Sequence, residues 1–186
     1  MNALLEAALE VSYFMEERHW KFCLIGGLAV QQWGEPRTTL DADFTLLTGW
    51  GEEEQYVDRL LERFESRLSG ARDFALSRRI LLLKSSKGID IDVALGALPF
   101  EEGMIARAKS VEFSPGLSLP CCTPEDLFIM KVFAGRSRDW IDARGVALRN
   151  RNLDATYMLR HIEELCALRD DSESVGRARM LLEELQ

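Results

Sequence analysis

The sequence predicts an α+β fold, with strands and helices mixed through the first part of the chain and helices alone after it. Three observations predict it. Short apolar runs bounded by glycine or polar turns alternate with segments of helical periodicity up to about residue 119. Thr123-Pro124-Glu125-Asp126 then marks a helix start, with threonine placed to cap, proline at the first helical position and an acid three residues on. Beyond it the periodicity stays helical to the end.

The elements follow in order. Leu4, Leu5, Ala8, Leu9, Ser12 and Met15 recur at helical spacing, so residues 3–18 form an amphipathic helix with Asn2 as its cap. Residues 22–25 are a short buried strand, and Gly27 releases the chain into a helix over 28–33 that Gly34 closes. A loop over 34–39 leads to a strand at 40–47. Gly49 and Gly51 open a helix over 52–68, on which Tyr56, Leu60, Leu61, Phe64 and Leu68 share a face. Residues 79–84 and 89–95 flank Ser85-Ser86-Lys87-Gly88 as a hairpin, with glycine where a positive φ is needed. A helix over 100–109 precedes short strands at 111–113 and 117–119 about a Pro115-Gly116 turn. Helices over 124–134, 139–149, 154–169 and 173–185 complete the chain. With no internal repeat and no linker, the expected organisation is a mixed core over 1–122 and a helical region over 123–186 packed on it as one compact unit.

Composition narrows the function classes. A chain of 186 residues, 47% apolar and 29% charged, can bury a substantial core. Its apolar runs fall far short of a membrane span and Met1-Asn2-Ala3-Leu4-Leu5-Glu6 lacks the basic start of a signal peptide, so the expectation is a cytoplasmic protein with no membrane partner. Cys23, Cys121, Cys122 and Cys166 have no CxxC spacing, which argues against a zinc site or a disulfide framework. Neither His19 nor His161 lies by a nucleophile-like turn, so a Ser-His-Asp triad is poorly supported. Trp20, Trp33, Trp50 and Trp140 are expected in core or shell packing. A formal charge of −8 argues against a general nucleic-acid coat, although residues 131–160 carry seven basic residues against three acidic ones. Those arginines read either as an acceptor surface or as a solvated helix face. The solvated face is favoured, because beyond Trp140 no aromatic residue is interleaved for base stacking.

The chemistry concentrates in two acidic pairs, Asp41 with Asp43 in LDADF and Asp90 with Asp92 in IDIDV. In each pair the acids alternate with apolar residues, so in a strand both point out of one face. Aspartate is disfavoured in strands, and four stand here in two strongly apolar ones. Either pair alone reads as the solvated face of a half-exposed sheet. Both pairs, together with a glycine turn, favour carboxylates that hold metal beside a phosphate site. Magnesium takes hard oxygen ligands, and two such ions can clamp the attacking and leaving oxygens of a phosphoryl displacement. Gly26-Gly27, between strand and helix, serves either tight packing or phosphate binding through backbone N–H groups at a helix start.

Gly26-Gly27, Arg37-Thr38-Thr39-Leu40-Asp41-Ala42-Asp43 and the later Ile91-Asp92-Val93 together resemble the nucleotidyltransferase superfamily typified by DNA polymerase beta. The stretch from Thr123 through Lys131, with Arg138-Asp139-Trp140-Ile141-Asp142, resembles its AbiEii/AbiGii toxin-type branch. The resemblance covers about residues 20–145 and implies a small mixed twisted sheet of the nucleotidyltransferase type, flanked by helices, with a C-terminal helical region. It implies that Asp41 and Asp43 bind two Mg²⁺ ions (Mn²⁺ being an alternative), that Asp92 is the third catalytic acid, and that Gly26 and Gly27 lie against the triphosphate of an NTP. Lys131 is expected to reach the triphosphate as a point charge. Thr38 or Thr39 is expected to supply the hydroxyl that a Gly-Ser turn has elsewhere in the superfamily. Arg37 either contacts phosphate or forms an ion pair. Asp139 and Asp142 match the family's later acidic motif, and Asp90 is an extra acid beside Asp92. The implied reaction moves NMP to a hydroxyl on tRNA, protein or a small molecule such as an aminoglycoside, with an antitoxin as the further partner. The rival reading is a non-catalytic nucleotide- or partner-binding module on the same fold.

Overall fold

The computed structural model describes residues 2–184, and the predicted last helical residue, Leu185, lies outside them. In chain order the elements are α1 Ala3–Glu16, β1 Phe22–Ile25, α2 Gly26–Trp33, β2 Asp41–Leu47, α3 Glu53–Arg63, β3 Glu65–Ser66, α4 Ala71–Arg78 and β4 Ile80–Lys84. There follow β5 Asp90–Gly96, α5 Pro99–Arg107, β6 Lys109–Ser114, β7 Leu117–Cys121, α6 Pro124–Ala134, α7 Ser137–Arg149, α8 Ala155–Ala167 and α9 Ser172–Glu184. The fold is mixed α and β, as the sequence predicts, with the helices gathered at the end.

The strands form one sheet in the order β3-β4-β5-β2-β1-β7-β6. β2 pairs parallel with β5 and β1 parallel with β7, while the other neighbours are antiparallel. Alternation explains the central strands: Ala42, Phe44 and Leu46 of β2 and Ile91, Val93 and Leu95 of β5 are buried, while Asp41, Asp43, Asp90 and Asp92 between them are half-buried. α1, started by the Asn2 side chain accepting from the Leu4 N–H at 3.0 Å, packs against β2, as does α5.

Two compact units divide the chain. The first holds residues up to Leu28 and Thr38–Cys122, and so the whole sheet with α1, α3, α4 and α5. The second holds Ala29–Arg37 with residues from Thr123 on, and so most of α2 with α6 to α9. Within it α6 packs on α7 and α8, around Leu127, Phe128 and Ile129. Thr123 caps α6 as expected, accepting from the Asp126 N–H at 3.2 Å.

Two stretches depart from the sequence reading: the helix expected over 100–109 ends at Arg107 and Lys109 already opens β6, and the chain after α3 differs more. The helix expected over 52–68 ends at Arg63, and Phe64 is extended at φ −117° and ψ 143°. The chain then runs as the edge strand β3, with Ser66 opposite Leu83, and turns into α4, which periodicity did not reveal. The reason is physical. Phe64 is buried in the extended turn as it would be on the helix face, and Leu68 ends 38% exposed, so the shared face did not mark a continuous helix. α4 buries only Ala71 and Ala75, too little for an amphipathic signal. Trp50 also departs from its expected packing: it is 67% exposed, with the Arg79 guanidinium 4.3 Å over its ring.

Candidate functional site

In the parallel pair of β2 and β5, Asp41 lies opposite Asp90 and Asp43 opposite Asp92. Both strands place acids at every second position, so this register puts all four carboxylates on one face. Asp41, Asp43 and Asp92 each offer a carboxylate oxygen within 4.8 Å of the other two. On the other side of β2, the antiparallel β1 sets Ile25 opposite Asp43, which carries the glycine turn to the same place.

The turn is shaped by the acids. Gly26 has φ +63°, and a Cβ there would overlap the Asp43 carboxylate. The Gly27 N–H donates to Asp43 Oδ2 at 3.2 Å, and a Cβ on Gly27 would overlap the Thr39 side chain. Thr39 Oγ1 in turn donates to Asp41 Oδ1 at 2.7 Å. Each acid of the first pair is therefore oriented by a neighbour: Asp43 by backbone, Asp41 by a hydroxyl. Thr39, one of the two threonines expected to offer a hydroxyl to phosphate, here gives it to Asp41, while Thr38 is exposed. Helix α2 starts at Gly26 itself, two residues before the predicted start.

The second pair has a partner that sequence reasoning missed. Arg67, just past β3, donates from Nη1 to Asp90 Oδ2 at 2.8 Å and from Nη2 to Asp92 Oδ1. Nothing local in the sequence marks it, since it falls in the stretch read as helix. Burial pushes the Asp92 carboxyl up from the ordinary aspartate value. The Arg67 guanidinium pulls it back, the charges of Asp41 and Asp90 push it up again, and it stays raised.

Lys131, Arg37, Asp139 and Asp142 meet within the second unit. Lys131 is 7% exposed, and its Nζ lies 3.0 Å from Asp139 Oδ1 and 2.9 Å from Asp142 Oδ2. Arg37 forms a bidentate pair with Asp142, Nε to Oδ1 at 2.8 Å and Nη2 to Oδ2 at 2.9 Å, so of its two predicted roles the structure shows the ion pair. Arg136 Nε donates to Asp139 Oδ2. Burial pushes both carboxyls up, but the bonds from Arg136 and Lys131 to Asp139, and from Arg37 and Lys131 to Asp142, outweigh it and hold both below the ordinary value. Trp140 beside them is 6% exposed, with the Arg177 guanidinium 4.1 Å over its ring, so its faces are not open to a stacking base.

Comparison with known proteins bears on the family and the fold. The model of the family described as "Nucleotidyl transferase AbiEii toxin, Type IV TA system" matches residues 16–185. Among solved structures, the chain is similar to an antigenic nucleotidyltransferase-like protein from Paracoccidioides brasiliensis, at TM-score 0.52 and 14% identity over 94% of this chain and 92% of that one. It is similar also to the lincosamide antibiotic adenylyltransferase LnuA in its lincomycin-bound form, at TM-score 0.52 and 12% identity over 78% of this chain and 97% of that one. Among curated proteins none matches significantly.

Proposed function

The chain belongs to the AbiEii nucleotidyltransferase family, and from that premise we propose a Mg²⁺-dependent transfer of NMP from an NTP to a hydroxyl acceptor with release of pyrophosphate, serving as the toxin of a toxin–antitoxin pair. The observation that carries this reading is the convergence of Asp41, Asp43 and Asp92 on one sheet face, with ligand oxygens within 4.8 Å of one another. The donor set fits the ions. Carboxylate oxygens are the hard ligands that Mg²⁺ and Mn²⁺ take, and half-buried acids leave coordination positions for water and substrate oxygens. Asp41 and Asp43 would hold both ions and Asp92 one. When bound, such a pair supplies charge neutralisation at the attacking and leaving oxygens of an in-line displacement.

The rest falls to the chain's own groups. Thr39 and the Gly27 N–H hold the first two carboxylates in orientation before any ligand arrives. The start of α2 brings the positive end of a helix dipole beside them without a side chain in the way, which favours a triphosphate there. Asp92 would complete the metal site and help deprotonate the acceptor hydroxyl. For the acceptor, the net charge of −8 weighs against tRNA, while the surplus of four positive charges over residues 131–160 keeps it beside a protein or a small molecule.

Incubating each labelled NTP with total tRNA, with lysate protein and with aminoglycosides, with and without Mg²⁺, tests the reading. Label should enter one acceptor class, only with the ion, and Asp43→Ala should lower the rate by on the order of a thousandfold, the scale of losing transition-state charge stabilisation. Nucleotide binding that ignores Mg²⁺ and labels nothing would make the protein a binding module instead. For the toxin role, induced expression should arrest growth and Asp43→Ala expression should not.

A further inference from the structure

We propose that Arg67 sorts the four carboxylates of the sheet face: its fork holds Asp90 and Asp92 by one oxygen each, keeping Asp90 out of the cluster while Asp92 stays in it, so that three acids and not four are left to bind cations. The proposal rests on the metal-site reading above and adds a positioning residue to it.

The backbone does not make this distinction. Asp90 stands opposite Asp41 just as Asp92 stands opposite Asp43, in one continuous register and on one face. Yet Asp92 joins the cluster of converging oxygens and Asp90 does not. The two acids share one guanidinium, Nη1 on Asp90 Oδ2 at 2.8 Å and Nη2 on Asp92 Oδ1, and of the two only Asp92 keeps an oxygen within reach of both Asp41 and Asp43. A planar fork of donors can hold two neighbouring carboxylates at once, which a lysine cannot do. Lys84 stands opposite Asp90 in the β4–β5 register, and still it is Arg67 that reaches the carboxylate.

Main-chain geometry puts Arg67 there. Its N–H donates to the Leu82 carbonyl at 3.1 Å, and Leu82 is opposite Asp92 across β4 and β5. Arg67, the first residue past the short edge strand β3, thus lies on the row that contains Asp92 and Asp43. Arg67 Nε is buried without a hydrogen-bond partner. An orphaned donor is unfavourable, so the two carboxylates and not general packing fix where the guanidinium sits.

Removing the cation has two consequences of opposite sense. Asp90 is released toward Asp41 and the face becomes more negative, so a divalent ion binds more tightly. Asp92 loses the donor that orients it, so turnover falls. Mere loss of structure would weaken both.

The test is calorimetric titration of the full chain with Mn²⁺ alone, beside transfer kinetics. In Arg67→Met the Kd for Mn²⁺ should fall at least about threefold, while kcat drops about tenfold or more and KM for the NTP stays within about twofold. In Arg67→Met/Asp90→Asn the Mn²⁺ affinity should return to the original value with kcat still low. Arg67→Lys, which keeps the charge and serves if the methionine variant does not fold, should leave the Kd unchanged and lower kcat. The proposal is overturned if Arg67→Met leaves both Kd and kcat unchanged or weakens both, or if Arg67→Lys turns over as the unaltered protein does. An unaltered protein that binds no Mn²⁺ would sink the metal reading itself, whereas one that binds it with Arg67 variants unmoved would sink only this inference.

Discussion

At Gly26 two constraints coincide: a backbone at φ +63° and an Asp43 carboxylate filling the place of any Cβ. Gly26→Ala meets both. The left-handed backbone alone costs about 1–2 kcal/mol for a residue with a Cβ, and relieving the overlap has to move a metal-site acid. Urea denaturation should show at least that loss, and transfer should fall further than stability does. Asp92 gives the opposite stability effect. Its folded-state carboxyl is raised, so its contribution to stability is fully present below the ordinary unfolded carboxylate value and is lost as pH rises through the folded one. At neutral pH the metal-free protein therefore carries an unfavourable charge. Asp92→Asn should raise the metal-free Tm at pH 7 while lowering activity, and thermal melts with and without Mg²⁺ read both. Both acidic pairs were legible in the sequence because period-2 alternation fixes which residues share a face, whereas Asp92 was set apart from Asp90 only by the family resemblance. Arg67 was not legible, since an arginine's reach depends on which strand ends beside which. The bond from Thr39 to Asp41 was not legible either, since the threonines were read as phosphate contacts and nothing local says that a hydroxyl meets the carboxylate.

Helices α6 and α7 are joined by ions as well as by apolar packing. Lys131 on α6 is buried against Asp139 and Asp142 of α7, and Arg37 closes the far side of Asp142. Taking the cation from a buried ion pair leaves uncompensated charge and costs about 3–5 kcal/mol. Lys131→Ala should sit near the lower end, since Arg37 and Arg136 remain, and should lower Tm by roughly 6–12 °C in a chain of this size. The two carboxyls are held below the ordinary value, so their contribution is complete above about pH 4, the unfolded aspartate value, and is lost as pH falls through the lower folded ones. Urea midpoints should drop steeply below about pH 4, and Asp142→Asn should flatten that acid limb. The start of α6 was readable because Thr123-Pro124 states its own cap. The end of α3 was not, because Phe64 satisfies a helix face and an extended turn equally well, and the choice is made by β4, which gives β3 its ladder partners.

For the whole molecule, the sequence carried the class of fold but not the strand order. Alternation identified β2 and β5 as half-buried strands, yet their parallel pairing joins segments about fifty residues apart and is set by β4 and by the helices that return the chain. Charge distribution is the global property that sequence does carry, and it bears on the acceptor. The net charge of −8 coexists with a surplus of four positive charges over 131–160, and Arg138, Arg144 and Arg151 stand exposed there with no exposed acid on α7. Binding of a polyanion through such residues releases counterions, with a logarithmic salt slope of about −0.9 for each phosphate contact to a duplex stem. Three contacts would weaken tRNA binding about 40-fold between 50 and 200 mM salt. A small hydroxylated acceptor makes no such contacts, so its KM should stay nearly flat across that range. Measuring KM for the acceptor against salt, with Arg144→Glu as the control that lowers the slope by about one, separates the two: a steep line that flattens in the variant identifies a nucleic acid, and a flat line in both removes it.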